Sequence, residues 1–215
     1  MYKNYVKRFI DIILALAGTI LLVFVFIVIA PLIYLEDKGP VFYIAPRMGK
    51  NGKIFKMYKF RSMRVNSPDL RNIDGSTYNS MNDSRLTRIG RFIRKTSLDE
   101  APQVLNVLKG DMSVVGPRPF LPGKKYDAFD EVIKKSISVS PGITGYTQAY
   151  YRNSLAQDEK FETDCYYVDH ISFIFDLKIF LKTINSVFRH ENVYIDVQSP
   201  EIDASEKKQE GVINQ

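Results

Sequence analysis

The chain contains a single cysteine, Cys165, and two histidines, His170 and His190, among its 215 residues. One thiol cannot close an internal disulfide, and two isolated imidazoles make no metal-ligand cluster. Neither a disulfide framework nor a zinc site organises this fold, and both shortages suit a reducing, cytoplasm-facing body. Also missing are a Walker-type phosphate loop, a dinucleotide fingerprint and any internal repeat. Their absence removes the sequence basis for a P-loop nucleotidase, a Rossmann dehydrogenase or a solenoid.

Charge is absent from one long interval. Nothing ionised separates Asp11 from Glu36, and the run is mostly Ile, Leu, Val, Phe and Ala, broken by Gly18, Thr19 and Pro31. About 20 apolar residues suffice to cross a bilayer as a helix. A cleaved leader is the bland alternative, since Lys3, Lys7 and Arg8 precede the run. The run exceeds the usual ~7 to 15 apolar residues of a leader and has no clear small-x-small site. Topology normally follows an imbalance of Lys and Arg, yet Lys3, Lys7 and Arg8 lie before the segment and Lys38, Arg47, Lys50 and Lys53 after it. Both flanks ask for the same side of the membrane. A re-entrant helix that enters, bends and returns answers this, with Pro31 as the break. Asp11 is costly in lipid unless it pairs with Lys7, Arg8 or a headgroup; a plain interfacial charge is the equal alternative.

What the chain has in excess is local positive charge. Positions 47–95 hold 13 Lys and Arg against Asp69, Asp74 and Asp83, while the whole chain carries only +6. Such a basic block suggests an anionic partner: phosphate, lipid headgroup or nucleic acid. Within it, Val41-Phe42-Tyr43-Ile44 and the run 54–60 read as strands of a hairpin about a turn at 49–52. Lys59 and Arg61, two apart, would share a strand face and could grip a phosphate or simply be solvated. Residues 66–82 read as a loop. Asp83-Ser84 can cap a helix with Leu86, Ile89 and Ile93 on one face and Arg85, Arg88, Arg91 and Arg94 on the other.

Ser97-Leu98-Asp99-Glu100 matches a capping box that opens a helix ending at Gly110. The same stretch also reads as chemistry, because a carboxylate at a helix start stays ionised and can attack as a nucleophile. Gly116-Pro117-Arg118-Pro119 fixes an arginine between two prolines, either as an aimed guanidinium or as a surface turn. Pro141-Gly142-Ile143-Thr144-Gly145 is a second rigid loop. The run 171–181 is a core helix or an amphipathic helix resting on a membrane.

In this order, Lys7-Arg8 with Asp11, the Gly-x-x-Gly-Lys turn ending at Lys53, Tyr58-Lys59-Phe60-Arg61-Ser62-Met63, Thr87-Arg88-Ile89-Gly90, Ser97-Leu98-Asp99-Glu100, Val115-Gly116-Pro117-Arg118-Pro119, Pro141 through Gly145 and Asp176-Leu177-Lys178 resemble the bacterial sugar transferase family of monotopic polyprenyl-phosphate phosphoglycosyl transferases. The resemblance covers nearly the whole chain and implies its minimal catalytic form. It implies transfer of a sugar-1-phosphate from a UDP-sugar to undecaprenyl phosphate with release of UMP. Asp99 would be the nucleophile and Glu100 its partner at a Mg²⁺ site. Lys59, Arg61 and Arg118 would bind phosphate or substrate, with Arg94, Arg152 and Asp164 in support. Two departures stand out. Val23-Phe24 occupies the place where the family's helix is commonly broken by Ser-Pro, and Tyr146 and Tyr150-Tyr151-Arg152 depart from frequent Trp and Asn-Gly-Arg.

The expected architecture is α/β and mostly helical. It comprises a re-entrant membrane helix over 1–36, a cytoplasmic catalytic domain over 37–197 with a short hairpin and amphipathic interfacial helices, and a polar tail over 198–215. The expected setting is the cytoplasmic face of a bacterial inner membrane, with UDP-sugar, undecaprenyl phosphate and membrane lipid as partners and a homo-oligomer left open. Nucleic acid is not expected as a partner. The alternative is a membrane-tethered basic protein that holds anionic lipid or nucleic acid without catalysis.

Overall fold

The uncharged N-terminal run folds as one helix, α1, Lys7–Asp37, entered through a short π-helical segment, Tyr2–Val6. A computed structural model describes residues 1–70, 78, 80, 82–123, 125–151 and 154–188. Leu, Ile and Ala favour the helix, and the polar interruption at Thr19 is absorbed by a 2.7 Å hydrogen bond from its hydroxyl to the Ala15 carbonyl. Pro31 costs one intrahelical bond but does not end the helix, which closes at Lys38 in the left-handed conformation. At 1.5 Å per residue α1 is about 46 Å long.

One stripe of α1 is buried: Asp11, Ala15, Leu22, Ile29 and Ile33, at spacings that keep to one helix face. The opposite face exposes Ile20, Leu21, Phe24, Ile27, Val28 and Leu35, each more than 60% accessible. Both ends are tied to the same body. Near the start, Arg8 donates to the Val107 and Leu108 carbonyls. At the far end, Asp37 forms a bidentate pair with Arg61, and Glu36 accepts from the backbone N–H groups of Arg88 and Ile89. Asp11 pairs with neither Lys7 nor Arg8, which are engaged by Asp176 and by the Val107 and Leu108 carbonyls. Its carboxylate accepts from Ser113 Oγ at 2.8 Å and the Val114 N–H at 2.9 Å.

The expected hairpin forms from β1, Phe42–Met48, and β2, Ile54–Phe60, antiparallel with Phe42 opposite Phe60. Beyond it, α2 spans Arg88–Lys95 and α3 spans Gln103–Lys109. Between β2 and α3 sits Asn106, fully buried. Its amide donates to the Lys56 carbonyl at 2.7 Å and accepts from the Tyr58 N–H at 3.0 Å, so a helix side chain completes the open edge of β2.

Both expected helix starts are corrected. Asp83 does not cap; it forms a buried pair with Arg85, and α2 begins four residues later with the Thr87 hydroxyl accepting from the Gly90 N–H at 2.9 Å. Gly90 is required there, because an added Cβ would lie 1.8 Å from the Ser62 carbonyl oxygen. The capping box at Ser97 does not form either: Ser97 is left-handed (φ 57°) with no capping side-chain bond, and a 3₁₀ turn over Leu98–Glu100 precedes α3. Gly110 ends α3 as expected, at φ 88°.

The C-terminal half packs on a parallel pair that the sequence pattern did not announce: β3, Ser113–Val115, and β4, Gly142–Thr144. Helix α4, Glu131–Ser136, lies in the connection between them. Helices α5, Tyr146–Tyr150, α6, Gln157–Asp169, and α7, Phe173–Phe188, close this core around Tyr167 and Ile179. Helix α7 is two-faced. Ile179 is fully buried while Phe173, Ile174, Leu177, Leu181 and Ile184 face outward. The expected tail over 198–215 lies outside the described residues, as does part of the loop over 66–82.

Replacing Asn106 with Ala leaves the part-buried Lys56 carbonyl and Tyr58 N–H without their partner. The expected cost is about 2–4 kcal/mol, read as a lower thermal midpoint of the detergent-solubilised protein. A midpoint unchanged from wild type would refute the role given to this amide.

Candidate active site

The left-handed Ser97 turns the chain sharply after α2, and the 3₁₀ turn that follows sets Asp99 inward and Glu100 toward the hairpin. Asp99 is buried, at 9% exposure. Glu100 receives Lys59 Nζ at 2.6 Å from the last residues of β2. That pairing depends on β2 being held against α3, which is the task of Asn106. Arg94, in the last turn of α2, donates from Nε to Ser62 Oγ at 2.9 Å and adds positive charge beside both carboxylates.

Environment separates the two acids. Burial pushes the Asp99 carboxyl up to about 6; Glu100 adds to the shift, and Lys59 and Arg94 oppose it. Burial acts on Glu100 in the same sense, but Lys59, with Arg118 and Arg94, overcomes it and holds that carboxyl below the usual range. Asp99 is therefore the more basic oxygen of the pair while still largely ionised at neutral pH, which is the combination a carboxylate nucleophile needs.

Arg118 reaches this field from another element. Strand β3 leads directly into Gly116-Pro117-Arg118-Pro119, and the loop is stitched by Gly116 N–H to the Thr144 carbonyl at 2.8 Å and Gly142 N–H to the Pro117 carbonyl at 2.9 Å. Gly142 admits no side chain, since a Cβ would fall 2.2 Å from Gly116 N. Beneath the loop, the buried Asp164 carboxylate accepts from the Arg118 backbone N–H and from Thr147 Oγ1 at 2.5 Å. Burial raises its carboxyl to about 6 against those bonds. Asp164 thus holds the Arg118 backbone and faces its charge, while the Arg118 side chain remains exposed to meet a ligand.

Of the residues singled out from sequence, Asp99, Glu100, Lys59, Arg94 and Arg118 converge electrostatically, and Asp164 supports the last. Arg61 is not brought to them; its guanidinium is buried against Asp37 and the Pro40 carbonyl. Pro31 lies within α1, and Arg152 falls outside the described residues. Sequence reasoning missed Asn106 and Thr147. A lone amide among Val104, Leu105, Val107 and Leu108 was a visible signal for Asn106; Thr147 carried none.

Among the described residues, no group of three or more His, Cys, Asp or Glu gathers as a metal site. Two adjacent carboxylates nevertheless fit Mg²⁺, which is commonly held by one or two carboxylates together with substrate phosphates and water.

The profile described as "Bacterial sugar transferase" matches residues 2–190. The galactosyl transferase CpsE of Streptococcus agalactiae is 41% identical over 189 residues, covering 84% of this chain and 42% of that protein. The uncharacterized sugar transferase EpsL of Bacillus subtilis is 44% identical over 159 residues, 74% of this chain and 75% of that protein. The undecaprenyl-phosphate galactose phosphotransferase of Salmonella typhimurium is 37% identical over 209 residues, 89% of this chain and 42% of that protein. The chain thus spans less than half the length of two of these three relatives. With a profile match over most of its length and the Asp99–Glu100 pair set among Lys59, Arg94 and Arg118, the chain belongs to the bacterial sugar transferase family.

Proposed function

We propose that this protein is a membrane-associated phosphoglycosyl transferase. It moves a sugar-1-phosphate from a UDP-sugar to undecaprenyl phosphate, the opening step in assembling a surface glycan or glycoprotein. The observation that carries this reading is the buried Asp99, more basic than an ordinary carboxylate, beside a Glu100 neutralised by Lys59. Family membership and relatives named for undecaprenyl-phosphate sugar transfer support it. A basic protein that only tethers lipid or nucleic acid has no use for a buried carboxylate set beside two cations.

In the first half-reaction an Asp99 oxygen attacks the phosphorus that carries the sugar. The bond from that phosphorus to the oxygen bridging the two phosphates breaks, UMP leaves with the bridging oxygen, and an aspartyl phosphosugar remains. In the second, a phosphate oxygen of undecaprenyl phosphate attacks the same phosphorus, the aspartyl ester bond breaks, and a lipid diphosphosugar is released with Asp99 regenerated. Arg118, fixed by its prolines and by Asp164, offers a planar fork to the phosphate oxygens. Lys59 and Arg94 offset the repulsion between an anionic nucleophile and an anionic donor. Mg²⁺, held by Asp99, Glu100 and the donor's phosphates, would supply further charge neutralisation.

The acceptor's lipid tail gives α1 its purpose. Both ends of α1 are bound to one globular body, which supports a monotopic, re-entrant placement on the cytoplasmic face of the inner membrane over a full span. A homo-oligomer is compatible with this reading.

Asp99→Asn should lower UMP release from UDP-sugars with undecaprenyl phosphate and Mg²⁺ by about 10³-fold or more, and full turnover in that variant would sink the nucleophile assignment. Labelling Lys3 in sealed vesicles should succeed from the cytoplasmic side alone; reactivity from the other side contradicts the monotopic placement. Asp164 gives a pH test. Its folded pKa lies above the ordinary ~3.9, so the folded state holds this proton more tightly between about pH 4 and 6. Its contribution to stability therefore falls across that window, by about 2–3 kcal/mol, and is flat above it. Asp164→Asn should remove that slope from the wild-type stability curve; an identical pH dependence in the variant contradicts the assignment.

A further inference from the structure

A groove of about 850 Å³ opens where α1 leaves its apolar surroundings, away from the carboxylate pair. Leu32, Ile89 and Phe92 give it an apolar wall, and Arg64 and Arg88 stand at it. Leu32 and Phe92 are 45% and 53% exposed and continue the outward apolar face of α1 through Val28 and Leu35. Two acids also line the groove, but both are already engaged. Asp37 is paired with Arg61, and Glu36 accepts from the first two N–H groups of α2. Glu36 keeps its charge, and against it stand the exposed guanidinium groups of Arg64 and Arg88, for which no described residue supplies a hydrogen-bond or ion-pair partner, so the groove is net positive.

An apolar wall joined to a lipid-facing helix, with two cations at the level where that helix turns polar, matches one kind of occupant. We propose that this groove binds an anionic phospholipid of the bulk membrane, its phosphate held by Arg64 and Arg88 and the upper part of its acyl chains lying against Leu32 and Phe92. The inference rests on the membrane placement given above. Two planar forks suit a phosphate better than two ammonium groups would, because each can donate a bidentate pair. The bound phosphate is not a reacting one. Arg88 and Arg94 are six residues apart on α2, so about 9 Å of helix separates the arginine that holds the phosphate from Arg94, although the apolar wall at Phe92 comes nearer. A lipid held here fixes the C-terminal end of α1 and the N-terminal end of α2 relative to the membrane, leaving the carboxylate pair free for the acceptor.

The test uses the full chain with vesicles of phosphatidylcholine, with and without phosphatidylglycerol, and compares wild type with Arg64→Gln/Arg88→Gln. Each arginine near an anionic surface is worth about fivefold in partitioning, so the double variant should bind phosphatidylglycerol vesicles about 25-fold more weakly. Its binding to phosphatidylcholine alone should be unchanged. Arg64→Lys/Arg88→Lys keeps the charge but loses the fork and should fall between the two. Lys134→Gln/Lys135→Gln removes equal charge from α4 and should have little effect. Equal binding by wild type and the arginine variant overturns the proposal, as does an equal loss in the α4 control, which would mark the effect as net charge alone. UMP release in neutral detergent should be the same for wild type and the arginine variant. A raised KM for undecaprenyl phosphate in that variant would assign the groove to the acceptor and overturn the proposal as stated. Absence of UMP release from wild type would instead count against the transferase reading and leave the vesicle comparison intact.

Discussion

A single buried amide ties the two halves of the candidate site together. Among the described residues, strand β2 pairs with β1 alone, so its outward carbonyl at Lys56 and N–H at Tyr58, both part-buried, need partners from outside a sheet. Asn106 supplies both from α3. A third strand would also have completed this edge, but it would have brought a ladder rather than a helix terminus beside Lys59. Because the partner is a helix, the 3₁₀ turn that precedes it delivers Glu100 to Lys59 and leaves Asp99 in the interior.

The same logic extends outward. Helix α3 is held from its C-terminal end by Arg8, which satisfies two of its terminal carbonyls, and from its flank by α1, where Gly18 lets Val104 approach to van der Waals distance. Strand β3 is held from below by Asp11 of the same helix and continues into the Arg118 loop. The N-terminal helix is thus part of the scaffold of both the carboxylate pair and the phosphate-facing arginine. Near its start, Asp176 gathers Lys7, Tyr2 and Tyr167, so α6 and α7 are joined to it as well. A perturbation of α1 by its apolar surroundings would reach the chemistry through short, hydrogen-bonded links.

The electrostatics follow from this packing. Two adjacent carboxylates would ordinarily titrate alike, but one is turned inward and the other faces a lysine, and their proton affinities separate in opposite directions. Asp164 repeats the theme at a distance. A carboxylate buried under the Arg118 loop is hydrogen-bonded by a threonine hydroxyl and a backbone N–H and also feels the charge of Arg118. This arrangement fixes the loop through its backbone while the Arg118 side chain stays exposed.

The amino-acid sequence determined a good deal by itself. Hydrophobic length announced α1, alternation and a glycine turn announced the hairpin, Gly110 marked the end of α3, and the order of short motifs pointed to the family. Each of these is a local or additive property of the chain. Only the tertiary structure decided the rest. Asp83 and Ser97 had the local chemistry of helix caps, yet a buried pairing with Arg85 claimed the first and a left-handed turn claimed the second. Spacing made Lys59 and Arg61 equivalent, and long-range partners separated them, Glu100 for one and Asp37 for the other. Asp11 looked like an interfacial charge until β3 supplied its donors from a hundred residues away. In each case the deciding partner lay far along the chain, and the energy of satisfying a buried polar group, invisible to any local pattern, chose between readings that the sequence left equal.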